Sequence, residues 1–286
     1  VAERVPQRAD ELLRAAVGHL RLAGVQDPRV DAELLLGHVL GVSRGRAQAL
    51  ALMGGTLPLP VATRYRELIL RRGTREPLQH LTGSAGFRGI ELLVGPGVFV
   101  PRPETEVLVE HALLGLRAGG RAIDLGTGSG AIALSIAHER PDAEVVGVER
   151  SPAAFAWAER NREALTLPNA RIVAGDLADA LPDEAGTFDV VVSNPPYVPD
   201  GMIPRDPEVE RFDPPAALYG GADGLDPMRA VVATARRLLV PGGLLAVEHG
   251  ELQGEAVRAL LDDSWVDAAT HPDLTGRDRV TTARLR

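Results

Sequence analysis

Two short stretches of this 286-residue chain combine residue types that can cradle a small ligand and turn a planar NH2 group toward it. The first is Asp124-Leu125-Gly126-Thr127-Gly128-Ser129-Gly130, set between a short apolar run (122–125) and a helix-like segment (131–138). Glycines let the backbone pass close to a ligand, and a helix N-terminus offers free N–H groups to an anion. Glu149 ends the next strand-like segment roughly 20 residues later, the place where an acid takes ribose hydroxyls in nucleotide-binding α/β folds. The loop does not name its ligand. Gly126, Gly128 and Ala131 also satisfy the looser dinucleotide pattern G-x-G-x-x-G/A. S-adenosylmethionine has a ribose too, with a carboxylate in place of a pyrophosphate. Asp124 reads equally as a loop-stabilising acid and as a partner for a cofactor ammonium.

The second stretch is Asn194-Pro195-Pro196-Tyr197, just past a buried strand at 188–193. In an open α/β sheet, ligands bind at the carboxyl ends of the strands. The Asn194 side-chain oxygen can accept one N–H of an amine or amide, and the Pro195 carbonyl the other. Proline fixes φ and so restricts where that carbonyl points. Tyr197 supplies a flat face for a planar amide or base. With both hydrogens held, the nitrogen lone pair is aimed at an electrophile. An amide nitrogen is a poor nucleophile, so holding it in line with a sulfonium methyl would be much of the catalytic task.

These residues need a scaffold, and the sequence sketches one. Residues 10–75 read as short helices: one capped by Asp10 with Leu12, Leu13, Ala16, Val17 and Leu20 on one face, one opened by Asp27-Pro28, one by Ser43, and one by Pro60. Residues 78–82 and 86–94 are glycine-punctuated and β-like, and predict a hairpin. From Arg121, strands at 122–125, 144–149, 170–174, 188–193 and 243–248 alternate with helices at 131–138, 152–165, 226–240 and 255–261. Residues 194–215 form a long proline-rich loop, and two short strands close the chain. This rhythm predicts a mostly parallel, Rossmann-like sheet with helices on both faces and an antiparallel last strand. The expected division is a helical domain (1–75), a hairpin linker (76–100) and an α/β domain (101–286).

Composition narrows the function. Apolar residues are 45% and charged residues 24%, which fits a soluble globular chain and excludes intrinsic disorder. Cysteine is absent, excluding disulfides, thiolate metal sites and a cysteine nucleophile. The seven histidines are dispersed, without a metal-binding motif, and no G-x-S-x-G is present. The net charge of -8 argues against a general binder of nucleic-acid backbone. Arg64, Arg66, Arg71, Arg72 and Arg75 form a basic stretch, read as a solvated helix face in preference to a contact for an acidic partner surface or rRNA. The first ten residues lack an apolar leader and no run is long enough to span a bilayer, so a cytoplasmic protein is expected.

The chain resembles the protein-(glutamine-N5) methyltransferases of the PrmC/HemK family over nearly its whole length. The resemblance rests on Arg75 to His80, Pro101-Arg102-Pro103-Glu104-Thr105-Glu106, the loop Asp124 to Gly130, Asn194 to Tyr197, Tyr219 to Leu225, Glu248-His249-Gly250 and Asp273 to Val280. It implies a class I methyltransferase domain preceded by a helical substrate-docking domain, and methylation of the glutamine in a Gly-Gly-Gln motif of class 1 peptide-chain release factors. It implies S-adenosylmethionine at Gly126, Thr127, Gly128, Ser129, Gly130 and Glu149, with adenine near Asp176 and Leu177 and S-adenosylhomocysteine as product. The substrate amide is implied at Asn194, Pro195, Pro196 and Tyr197, with Asn194 bordering the cofactor. No metal, membrane or direct nucleic-acid substrate is implied. Glu149 stands where many relatives carry aspartate. Three other readings compete: an N6-adenine nucleic-acid methyltransferase, which would need a basic face and a flipped base; a dehydrogenase; and a non-catalytic module, which predicts decay of motifs that are intact here.

Overall fold

The structure is a computed structural model describing residues 6–286; residues 1–5, part of the stretch read for a leader, lie outside the described residues. The chain forms two compact units, one of residues 1–83 with 205–212, the other of residues 84–204 with 213–286.

The first unit holds β1 (Gln7–Arg8), α1 (Ala9–Leu22), α2 (Pro28–Leu40), α3 (Arg44–Leu52), β2 (Thr56–Leu57), α4 (Leu59–Gly73) and α5 (Leu78–Thr82). Leu12, Ala16 and Leu20 recur at helical spacing and meet Leu35, Leu36, Tyr65 and Leu68 in one apolar core. Capping differs in part from expectation. Ser43 accepts from the Arg46 N–H at 3.4 Å. Asp27 stands at its cap position without a side-chain capping bond. Asp10 lies inside the first turn of α1, where it pairs with Arg8 and Arg14. The expected strand over 78–82 is a helix. Pro77 precedes it, Gly83 ends it at φ 81°, and Leu81 turns into the helical core.

The basic stretch is not a uniformly solvated face. Arg72 pairs with Asp31 at 2.7 Å and with Glu208 at 2.8 Å, and Arg75 meets Glu208 at 2.6 Å. Glu208 lies on α9 (Pro207–Phe212), which the long loop after Tyr197 contributes to this unit. Arg71 pairs with Glu76 at 2.5 Å, whereas Arg64 is more than half exposed.

The second unit begins with a hairpin, β3 (Ser84–Phe87) and β4 (Ile90–Leu93), turned at Arg88-Gly89 with φ 42° and 82°. A 3-10 turn (Pro103–Thr105) leads into α6 (Glu106–Gly115). Then follow β5 (Arg121–Leu125), α7 (Ala131–Glu139), β6 (Glu144–Glu149), α8 (Pro152–Leu165), β7 (Ala170–Ala174), β8 (Phe188–Ser193), α10 (Asp226–Leu238), β9 (Leu239–Glu248), α11 (Gly254–Arg258), β10 (Trp265–Pro272) and β11 (Asp278–Leu285). Leu225 takes the cap position of α10, with Asp226 in its first turn. β9 starts four residues earlier than the sequence suggests, carrying a register shift beside Phe188 and Val190.

The seven strands run in the order β10-β11-β9-β8-β5-β6-β7. β7, β6, β5, β8 and β9 are parallel, and β11 enters antiparallel between β9 and β10. The central strands are apolar runs buried on both faces, as a covered parallel sheet requires. One core lies between the sheet and α6, α7 and α8, and another between the sheet and α10. Among the described residues, no helix is long and apolar enough to cross a membrane.

Candidate active site

Strand order decides what meets what. From β5 the chain goes to β6 on one side, and the next strands on the other side are β8 and β9. This makes the carboxyl ends of β5 and β8 a switch point, the crevice where open α/β sheets bind ligands. The glycine loop leaves β5, Glu149 ends β6, Asp176-Leu177 follows β7, and Asn194 follows β8. Residues separated by up to about seventy positions therefore line one end of the sheet.

The glycine loop is anchored from below. Gly126 and Thr127 both donate to the Val148 carbonyl at 2.9 Å, and Gly130 donates to Thr127 at 2.8 Å. Gly126, Gly128 and Gly130 have φ of 78°, 59° and 86°, a region L side chains rarely adopt. Asn161 accepts from the Leu93 N–H at 2.7 Å and donates to the Ser129 carbonyl at 2.9 Å, tying the loop to α8. Glu149 is held by two backbone donors, the Gly128 N–H at 2.9 Å and the Ser151 N–H at 2.7 Å. Each carboxylate oxygen keeps a second lone pair for a hydroxyl. Leu177 stands beside Gly126, its Cδ2 3.9 Å from where a Cβ would be. Asp176 is half-buried, pairs with Arg150 at 3.4 Å and accepts from the Ala178 N–H at 3.0 Å.

Asp124 is wholly buried under this loop. Its Oδ2 accepts from the Thr127 hydroxyl at 2.5 Å and the Ala133 N–H at 3.3 Å, while Oδ1 has no partner. Burial pushes its pKa from 3.8 up to about 7, against the pull of those two hydrogen bonds. The unfolded chain therefore loses this proton near pH 4 and the folded chain only near pH 7. Stability falls with rising pH across that window and stays lower above it. Asn at this position still accepts from Thr127 and Ala133 but carries no charge. Asp124→Asn is expected to match the wild type near pH 4 and to exceed it at pH 8 by on the order of a few kcal/mol. Ligand-free thermal melts at both pH values check this. A gap that does not widen with pH would sink it.

Asn194 sits beside Thr105 of the Pro-Arg-Pro-Glu-Thr-Glu run. Its Nδ2 donates to the Thr105 hydroxyl at 3.2 Å, committing the donor end of the amide to the protein and turning its oxygen away. Tyr197 donates its hydroxyl to Glu248 Oε1 at 3.4 Å. Burial, then the Glu248 charge, keeps that phenol protonated well above its ordinary range. Arg279 faces the same pair. It is held by Asp273 at 3.3 Å and donates to the His249 carbonyl at 3.3 Å.

The backbone carrying Pro196 and Tyr197 rests on the loop Tyr219 to Leu225. Val198 donates to the Leu218 carbonyl, and Gly220 to the Val198 carbonyl, both at 2.9 Å. Gln253 donates to the Tyr197 carbonyl at 3.0 Å. A Cβ on Gly220 would stand 2.6 Å from the Pro196 carbonyl oxygen, and one on Gly224 would collide with the Tyr197 carbonyl oxygen. Here glycine is required for close approach. Thr105, Glu248, Arg279 and Gln253 were not singled out by role from the sequence. Three of them lie in stretches that carry the family resemblance, and that was their only signal. Among the described residues, no group of three or more His, Asp or Glu side chains is arranged to hold a metal ion.

Residues 11–83 match the family model of the PrmC N-terminal domain, and residues 90–205 match that of the methyltransferase small domain. The chain is 46% identical over 277 residues to the release factor glutamine methyltransferase of Streptomyces coelicolor, covering 94% of this chain and 95% of that one. It is 43% identical over 278 residues to the enzyme of that name from Salmonella typhimurium, covering 96% and 97%. It is also similar to the solved T. thermophilus 16S rRNA N2 G1207 methyltransferase (RsmC) in complex with AdoMet and guanosine. That likeness has 27% identity and a TM-score of 0.51, over 71% of this chain and 50% of the other. Fold and site together define a Rossmann-like methyltransferase. Within that class, the chain belongs to the release factor glutamine methyltransferase family.

Proposed function

We propose that this enzyme transfers a methyl group from S-adenosylmethionine to the side-chain amide nitrogen, N5, of the glutamine in the Gly-Gly-Gln motif of class 1 release factors. The observation that carries the reading is the Asn194 amide, tied through Nδ2 to Thr105 at the end of β8 beside the glycine loop.

The residues present fit the cofactor. A Cβ on Gly128 would meet no protein atom within 4 Å, so the loop opens onto free space there. Glu149 is pinned by two backbone N–H groups, with lone pairs left for ribose hydroxyls. Asp124 Oδ1 is a buried acceptor without a partner beneath the same loop. Gly126 to Gly130, Glu149, Asp176 and Leu177 would hold the cofactor, which supplies a methyl group on a sulfonium and is left as S-adenosylhomocysteine.

Catalysis by this chain is positioning. Asn194 Oδ1 accepts one N–H of the substrate amide and the Pro195 carbonyl the other, with Tyr197 flanking its plane. With both hydrogens held, the nitrogen lone pair would face the methyl that the bound cofactor would supply, and the new N–C bond would form as the S–C bond breaks with its electron pair left on sulfur. One N–H proton then passes to water. The helical unit, including α9, is the part we assign to docking the release factor, and the cytoplasm is where such a substrate is met. The acidic charge of -8 disfavours a nucleic-acid substrate.

The test is mass spectrometry of an intact release factor, incubated with enzyme and cofactor beside an oligonucleotide control. A single methyl on the Gly-Gly-Gln glutamine is expected. Methyl on the oligonucleotide alone, or on neither, overturns the reading.

A further inference from the structure

A backbone carbonyl cannot be removed by substitution, so its aim depends on the residues that hold the chain around it. The Pro195 carbonyl leaves a segment with few free rotations. Proline rings fix φ at both 195 and 196. Before them, Ser193 pairs with Val247 in the β8–β9 register and donates its hydroxyl to the Leu125 carbonyl at 2.6 Å. After them comes the peptide joining Tyr197 to Val198, whose N–H donates to the Leu218 carbonyl at 2.9 Å. Once that peptide plane is fixed on its other side too, both ends of the segment are set, and the direction of the Pro195 carbonyl with them.

Gln253 fixes that other side. Its Nε2 donates to the Tyr197 carbonyl at 3.0 Å and to the Asp223 carbonyl at 3.4 Å, and its Oε1 accepts from the Gly250 N–H at 2.9 Å. One half-buried side chain thereby joins the segment after β8, the loop Tyr219 to Leu225 and the turn after β9. Its amide has a single workable orientation, because a backbone carbonyl only accepts and a backbone N–H only donates. The surroundings are close. A Cβ on Gly224 would stand 2.9 Å from Nε2, and one on Gly250 would stand 2.9 Å from Oε1 and 3.8 Å from the Tyr197 ring.

We propose that Gln253 is a positioning residue: by clamping the Tyr197 carbonyl it aims the Pro195 carbonyl at the second N–H of the substrate amide. This rests on the reading of Asn194 and Pro195 given above. The clamp needs a hydrogen-bond donor where Nε2 now lies, and the test turns on that need.

The experiment measures the single-turnover methyl-transfer rate at saturation, KM for release factor, S-adenosylmethionine affinity and melting temperature. The proteins are the wild type, Gln253→Met, Gln253→Glu and Asn194→Ala. Methionine keeps the length and loses the polar contacts. Glutamate keeps the shape, but when ionised it only accepts and sets a charge against two carbonyl oxygens. At pH 8, Gln253→Met should lower the rate about 10-fold and Gln253→Glu about 30-fold. KM and cofactor affinity should stay within about 3-fold, because the helical unit, the glycine loop and Glu149 are untouched. Once protonated, the new carboxyl offers an O–H to the Tyr197 carbonyl and an oxygen to the Gly250 N–H. The rate of Gln253→Glu relative to the wild type should therefore climb as pH falls from 8 toward about 5, the neighbouring carbonyls holding that carboxyl above its ordinary value. His249, Asp223 with Arg229, and Glu251 with Arg277 lie near that position. They are present in both proteins, as are Glu248 and Asp124, so the ratio isolates the new group. A side chain that merely braced α11 would lower the melting temperature and leave the rate of the folded enzyme unchanged. A wild-type rate in either Gln253 variant at pH 8, or a ratio that stays flat with pH, overturns the proposal. If Asn194→Ala is slow while the Gln253 variants are not, only this inference fails. If Asn194→Ala is as fast as the wild type, the underlying reading of the site fails with it.

Discussion

Replacing Asn194 with alanine is expected to slow methyl transfer on the order of 100-fold in single turnover, at saturating cofactor and release factor. The variant removes one of the two acceptors that would hold the substrate NH2. The glycine loop and Glu149 are untouched, so cofactor affinity should stay within a few-fold of the wild type. On sequence grounds, Asn194→Asp would rank above alanine because a carboxylate still accepts. The structure removes that advantage. Aspartate cannot donate to Thr105, so the contact that holds the Asn194 side chain in place is lost. Both variants are therefore expected to be slow. Rapid-quench measurement of methyl incorporation checks this, and transfer at the wild-type rate by Asn194→Ala would reduce the Asn-Pro-Pro-Tyr segment to a turn.

Gly128→Val is expected to weaken S-adenosylmethionine binding at least about 100-fold while leaving the fold intact. Gly128 has φ 59°, which costs a valine roughly 1–2 kcal/mol, a loss the domain should survive. The added Cβ meets no atom within 4 Å beyond its chain neighbours, so the side chain starts out into the space assigned to the ligand. Strain in the loop would also loosen the 2.9 Å contact from the Gly128 N–H to Glu149. Calorimetric titration of the variant, with circular dichroism to confirm folding, separates lost binding from lost structure. Affinity within a few-fold of the wild type would mean that the ligand does not approach this backbone.

Much of the architecture was legible because its signals are local. The alternation of buried apolar runs with helical segments gave the parallel sheet, and the Gly126 to Gly130 turn between β5 and α7 follows from residues that tolerate positive φ. Where the sequence misled, packing overrode local pattern. Residues 78–82 looked β-like beside Gly83, yet Leu81 is buried in the helical core and Gly83 serves as the helix stop. Arg72 and Arg75 looked like part of a solvated face, yet they meet Glu208, more than 130 residues away. No periodicity reports a pairing across that separation.

The amino-acid sequence by itself determined the presence of a ligand loop, the acid that follows it, and an asparagine-proline pair suited to an NH2 group. Each of these is a run of a few residues whose backbone and side-chain chemistry is fixed by type. Which end of the Asn194 amide faces the substrate was decided only by the tertiary structure. That choice depends on a threonine 89 residues earlier, brought to the end of β8 by the turn at Pro103–Thr105. A hydrogen bond has direction only when both partners are in place, and tertiary packing put them there.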